Sequence, residues 1–187
     1  MKKGERGGFK SILKAIKDTL TLKNLSGAGH GCNDNSARFS MTRRYLHHAT
    51  FYGFMLCFAA TTTGTIYHYG FGWEAPHSYL SLPVIFDTVG GIALCIGTAG
   101  LYGMKLETEK SLSSPVLWGM EAGFIALLFF TSLTGLFLLF FRETAAMGTL
   151  LAVHLGFVLT LFLVLPYSKM VHGVYRLWAL LRFHRQA

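Results

Sequence analysis

Residues 145–183 read AAMGTLLAVHLGFVLTLFLVLPYSKMVHGVYRLWALLRF, and the rest of the chain can be interpreted from this stretch. It carries two histidines, His154 and His172, which are eighteen residues apart. Eighteen residues make five turns of an α-helix, so both imidazoles lie on one face, roughly 27 Å apart along the axis. The hydrocarbon core of a bilayer is about 30 Å thick. The stretch therefore predicts a membrane-spanning helix with one histidine near each membrane surface.

Four long segments of the chain lack Asp, Glu, Lys and Arg. Of the 187 residues, 52% are hydrophobic and 14% are charged, whereas ordinary soluble domains are about 25% charged. A transmembrane helix needs about 20 mostly apolar residues, and each segment approaches or exceeds that length. We predict an all-α membrane protein, with a four-transmembrane-helix bundle in residues 43–187. The uncharged segments are 49–67, 88–104, 122–141 and 144–167.

The net charge of +8 is distributed unevenly around these segments. Ten Lys and Arg residues precede the first segment, two lie between the second and third, and four follow the last. Only Arg142 falls on the opposite side. Because basic residues concentrate on the cytoplasmic side, this pattern predicts a multi-pass membrane protein with both termini in the cytoplasm. It indicates contact with lipid headgroups and argues against nucleic-acid binding.

We predict that residues 1–42 form a cytoplasmic segment ahead of the helix bundle. Its apolar residues recur at helical spacing between lysines, which is typical of an amphipathic helix on the inner membrane surface. A helix docked on a soluble partner is an equal alternative. A loop rich in Gly, Asn and Ser follows. The apolar residues of the predicted helix are Phe9, Ile12, Leu13, Ile16 and Leu20.

Chain direction predicts the depth of each histidine in the membrane. The first span runs outward, from His47 and His48 to His68, and the last span runs inward. Two antiparallel helices that offer one imidazole at each of two levels can hold two bis-histidine haems in a bundle core. We therefore predict haem b, two groups per chain or alternatively one. The predicted iron ligands are His68 with His154 at the outer level, and His47 or His48 with His172 at the inner level.

The inner ligand of the first span is either His47 or His48. His47 is twenty-one residues from His68 and about 60° from a common helix face, whereas His48 is about 160° away. A straight helix favours His47, and a bend at residues 61–64 would change the choice. Pro166 predicts a kink before His172. Cations that lie near the inner histidines predict partners for haem propionates, namely Arg43, Arg44, Lys169 and Arg176.

A different class of function uses the same histidines without haem. Ionisable residues inside a membrane are candidates for ion or proton pathways, and Asp87 and Glu121 are the carboxylates available. The alternative hypothesis is therefore a small haem-free membrane transporter or proton-conducting subunit. A purely structural role for Asp87 and Glu121 is the alternative to such a pathway, because both carboxylates lie at helix ends. Tyr167 and Lys169 either line a quinone site or anchor the last helix at the interface.

Several motifs, in order, resemble the membrane half of the tricarballylate/citrate-utilization protein B family (TcuB/CitB). They are RRYLHHATFYGFMLCFAATTTGTIYHY, APHSYLSLPV, GGIALCIGTAGL, SLTGLFLLFFRETAAMGTLLAVHLG and LPYSKMVHGVYRLWALLR. The likeness extends from about Leu25 to the end of the chain. The histidine arrangement of the last span is also similar to that of nitrate reductase gamma subunits. His77 stands where the family usually has an aromatic residue.

This resemblance implies a b-type cytochrome that acts as the electron-transfer subunit of a redox complex. Members of the family accept electrons from an FAD-dependent tricarballylate dehydrogenase, a cytoplasmic flavoprotein that converts tricarballylate to cis-aconitate. They pass the electrons through iron–sulfur clusters and haem to membrane quinone. Family members begin with a ferredoxin-like domain that holds these clusters, and the present sequence has no such cysteine motif. We therefore expect a separate iron–sulfur protein or domain, or else a non-functional fragment of a longer gene.

Overall fold

The computed structural model describes most of the chain from residue 39 to residue 168. Residues 42–164 form one compact unit, and the residues on either side belong to a second unit. The predicted amphipathic helix, which carries Phe9 and Leu20, lies outside the described residues. So do three candidate site residues, Lys169, His172 and Arg176. The described residues are Cys32–Asn33, 39–107, 115–168, Val171, Tyr175, Trp178, Ala179 and Arg182.

Four long α-helices make up the compact unit. They are α1, Thr42–Phe71; α2, Leu82–Glu107; α3, Pro115–Phe140; and α4, Met147–Val164. The α-helical part of the last span ends one residue before a 3₁₀ turn, Leu165–Tyr167. Pro166 lies in this turn, and its missing N–H and its ring are incompatible with a regular helix interior. The predicted interruption of the last span is therefore present.

Three of these helices are long and apolar enough to cross a membrane: Leu82–Glu107, Trp118–Phe140 and Met147–Tyr167. The sequence predicts four spans. At 30 residues α1 is long enough, but its arginines, histidines and threonines make it less apolar than the other three. The all-α class is confirmed for the helical unit. Outside it, the two-residue strands β1, Cys32–Asn33, and β2, Phe39–Ser40, pair antiparallel.

The helices pack in chain order, with α1 against α2, α2 against α3, and α3 against α4. Few hydrophobic side chains of the described residues are buried, and they include Leu94, Leu128 and Leu161. Many large apolar side chains on the helices are exposed, including Phe58, Phe130 and Phe162. Exposed apolar surface on this scale is typical of contact with lipid.

Glycines allow the backbones of α1 and α2 to touch. A Cβ atom added to Gly53 would lie 2.7 Å from the backbone nitrogen of Leu94 and 2.8 Å from the carbonyl oxygen of Gly90. One added to Gly97 would lie 2.6 Å from the backbone nitrogen of Thr50. Small residues at such contacts let membrane helices pack closely. Gly53 and Gly97 therefore allow the close approach of α1 and α2.

Charged side chains hold the helix ends at opposite sides of the bundle. At one side, Lys105 Nζ of α2 lies 2.6 Å from Glu121 Oε2 of α3. At the other side, Arg142 Nη1 donates a hydrogen bond of 2.6 Å to the carbonyl oxygen of His77. The guanidinium of Arg142 also stacks 3.6 Å from the ring centre of Tyr79. These contacts tie the connection at residues 72–81 to the end of α3.

Candidate functional site

A cavity of about 140 Å³ lies among all four helices. Most of its lining is apolar, and each helix also contributes at least one polar or ionisable side chain. Asp87 of α2 and His154 of α4 both line it. Polar side chains from different helices thus meet inside an otherwise apolar bundle. Those at the cavity are Cys57, Thr61, Asp87, Thr131, Ser132 and His154.

His154 is held at this cavity by two consecutive residues of α3. Its Nδ1 atom lies 3.1 Å from Thr134 Oγ1. Its Cε1 atom lies 3.1 Å from the position that a Cβ on Gly135 would occupy. Any side chain at residue 135 would therefore crowd the imidazole. Sequence reasoning missed both residues, although a threonine–glycine pair inside an apolar helix was a possible signal.

One face of α1 carries the predicted histidines of the first span. His47, Phe54, Thr61 and His68 follow one another at seven-residue intervals. Seven residues are close to two full turns, so the four side chains share one face of the helix. Phe54 and Thr61 line the cavity, so His47 and His68 lie about 10 Å beyond them at either end.

His48 lies on a different face of α1 from these residues. Its Nδ1–H donates a hydrogen bond of 2.7 Å to the carbonyl oxygen of Arg44, one turn earlier on the same helix. The structure therefore favours His47 over His48 as the residue that faces the bundle near the start of α1. Arg43 and Arg44 are both predicted partners of haem propionates. Arg43 is exposed, and Arg44 is half-buried.

His68 is not among the residues that line the cavity at His154. His68 is exposed, and its ring lies edge-on to Tyr69 at a centroid distance of 4.8 Å. Thr61 is the last α1 residue at the cavity that His154 lines, and His68 follows about two turns later. The sequence-based prediction places His68 and His154 at a common depth because it assumes that all spans begin and end at the same height in the membrane. Packing instead sets the heights, for example through the 3.2 Å hydrogen bond from Ser132 Oγ to the carbonyl oxygen of Gly91.

The carboxylates proposed for a proton pathway are far apart. Glu121 pairs with Lys105 at the end of α2, whereas Asp87 lines the cavity. Lys105 follows Asp87 by eighteen residues on the same helix, which is about 27 Å along its axis. Glu121 therefore has the structural role of a charged residue at a helix end. Of the two carboxylates, only Asp87 lies at the cavity.

The surroundings of His154 have two properties that an axial haem ligand requires. Its imidazole lines a partly open cavity among the four helices, and Gly135 leaves room for the ring itself, where a side chain would crowd it. Ligand pockets usually measure about 300–1,000 Å³, so this cavity of about 140 Å³ must widen to admit a macrocycle. Its aromatic lining residues are Phe54, Phe58 and Phe162. Among the described residues no group of three or more His, Cys, Asp and Glu side chains could hold a bare metal ion.

Comparison with known proteins assigns the chain to a family. A family model described as "Citrate utilization protein B" matches residues 2–187. The chain belongs to the citrate utilization protein B family. A curated member from Escherichia coli, named Citrate utilization protein B, is 50% identical over 173 residues, which are 92% of this chain and 46% of that protein. The chain thus spans about half the length of the curated relative it matches. No solved structure matches it.

Proposed function

We propose that this chain is a membrane-embedded b-type cytochrome subunit of a citrate or tricarballylate utilization system. Membership of the citrate utilization protein B family supports the metabolic setting. Three helices that can cross a membrane support its place in the bilayer. The single observation that carries the haem proposal is His154, an imidazole at a cavity to which all four helices contribute.

Haem b, when bound, supplies reversible one-electron chemistry. In this proposal His154 would ligate the haem iron, and Gly135 provides the space that the imidazole needs beside α3. The phenylalanines around the cavity exclude water, which helps to set the redox potential. His47 is the proposed ligand of a second, inner haem, together with His172. The propionates of that haem would pair with Arg43, Arg44, Lys169 and Arg176.

The resemblance to the family supplies the proposed partners. Electrons come from a cytoplasmic FAD-dependent tricarballylate dehydrogenase, pass through a separate iron–sulfur protein or domain, and leave to membrane quinone. The chain then relays electrons and is not a stand-alone catalyst. We propose that all four helices lie in the bacterial inner membrane with both termini cytoplasmic. The distribution of Lys and Arg supports this orientation.

An optical spectrum of the purified, dithionite-reduced protein tests the proposal. We expect b-type absorbance bands and about two haems per chain. His154→Ala should remove one haem, whereas the matched control His77→Ala should remove none, because His77 lies in the connection at residues 72–81. A folded protein without colour or iron would refute the haem assignment. Loss of both haems in His154→Ala, with the fold intact, would refute two independent sites.

A second candidate function rests on Asp87. This carboxylate shares the cavity with His154 inside an apolar bundle, and intramembrane ionisable residues often mark proton pathways. A haem-free proton-conducting subunit would acidify liposomes in response to a membrane potential. Asp87→Asn would abolish that flux, whereas Glu121→Gln would not. Absence of flux from haem-free protein rules this candidate out.

A further inference from the structure

We propose that Thr134 is a positioning residue that fixes the tautomer of His154. Thr134 keeps the proton on Nδ1 of the imidazole, so that Nε2 presents its lone pair to an iron-centred ligand. The inference rests on the proposed function only for the identity of that ligand. The tautomer itself is a property of the chain.

The direction of the Thr134–His154 hydrogen bond follows from the other partners of the threonine. Thr134 Oγ1 lies 2.7 Å from the carbonyl oxygen of Phe130 and 3.0 Å from that of Thr131. Carbonyl oxygens only accept, and a hydroxyl has one proton to donate. Both carbonyl oxygens of α3 lie within reach of that proton. When the hydroxyl donates to them, its oxygen accepts a hydrogen bond from His154 Nδ1–H, 3.1 Å away.

The position of the proton decides which nitrogen can bind a metal. A neutral imidazole whose proton lies on Nδ1 has its lone pair on Nε2. The contact between Thr134 Oγ1 and His154 Nδ1 therefore leaves Nε2 as the nitrogen that is available to a ligand.

This arrangement makes α3 the element that orients the ligand of α4. A ligating histidine usually donates its other N–H to an acceptor that fixes the ring, and removing such a partner typically costs 10–100-fold in affinity or activity. His48 shows the contrast, because its acceptor, the carbonyl oxygen of Arg44, belongs to its own helix. His154 is instead fixed by a neighbouring helix, so its orientation depends on how α3 and α4 pack.

Two substitutions of Thr134 separate the hydroxyl from the shape of the residue. Thr134→Val keeps the volume and removes the acceptor, whereas Thr134→Ser keeps the hydroxyl. The matched control is Thr160→Val on α4, because the hydroxyl of Thr160 is exposed and bonds only its own helix, 2.8 Å from the carbonyl oxygen of Gly156. We expect haem affinity to fall 10–100-fold in Thr134→Val and to stay near wild type in Thr134→Ser and the control.

The tautomer is read directly on haem-free protein by ¹⁵N NMR at alkaline pH, with labelled histidine and His154→Gln to assign the signal. We expect a proton on Nδ1 in the wild type and a shift toward Nε2–H in Thr134→Val. A wild-type signal with the proton on Nε2, or identical tautomers in the wild type and Thr134→Val, overturns the inference without needing haem. Correct tautomers in a protein that never binds haem would instead overturn the proposed function alone.

Discussion

A single methyl group at Gly53 tests whether the α1–α2 contact holds the bundle together. In Gly53→Ala the new Cβ would lie 2.7 Å from the backbone nitrogen of Leu94, and ordinary contact begins at 3.4 Å. The shortfall between these two distances is about 0.7 Å. The opposing atoms belong to the main chain of α2, so no side-chain rotation can relieve the contact. The two helices must separate.

The expected loss of stability combines two opposing effects. Overpacking a well-packed core costs about 1–3 kcal/mol, and a clash with backbone belongs at the upper end of that range. Alanine is favoured over glycine in a helix by about 0.8–1 kcal/mol. The free energy of unfolding of Gly53→Ala should therefore fall by about 2 kcal/mol.

Reversible unfolding in mixed micelles of increasing SDS content, followed by circular dichroism, measures this change. The matched control is Gly103→Ala on α2, because a Cβ there meets nothing within 4 Å. The control should be unchanged or more stable by up to about 1 kcal/mol. Equal stability of Gly53→Ala and Gly103→Ala would show that the two backbones do not touch as described, and the height of the cavity residues would lose its basis.

Three further substitutions probe the site and the helix ends. His68→Ala should leave the His154 haem in place, because His68 is exposed about two turns beyond the cavity. If its reduced-minus-oxidised spectrum matched that of His154→Ala, the sequence-based prediction that His68 and His154 lie at one depth would be supported instead. Glu121→Gln should lower the free energy of unfolding by about 1 kcal/mol or less, because its partner Lys105 is at a helix end, and a changed haem spectrum would contradict this role. Arg142→Ala removes a charged hydrogen bond to the His77 carbonyl oxygen, so it should lower the free energy of unfolding by about 1.5–3 kcal/mol. It should also speed protease cleavage at residues 72–81, and an unchanged cleavage rate would contradict the role of Arg142 in holding this connection.

Local properties of the sequence were sufficient for the helices and for the family. Uncharged segments of suitable length predict the helical class, and Pro166 predicts a kink where the structure has a 3₁₀ turn, because both depend on neighbours along the chain. Motifs such as SLTGLFLLFFRETAAMGTLLAVHLG predict the family, since they do not depend on how helices pack. The seven-residue intervals that lead from His47 through Phe54 and Thr61 to His68 are likewise a property of the sequence alone.

The heights at which helices meet, and the partners of each polar side chain, needed the tertiary structure. Only packing decides that His154 lies beside Thr134 and Gly135, about two turns from the level of His68. Only packing pairs Glu121 with Lys105. A helix sliding along its neighbour keeps its own periodicity unchanged, so periodicity carries no information about register. Register is fixed by contacts between residues far apart in the chain, such as Gly53 against the backbone of Leu94, and these exist only once the helices have packed.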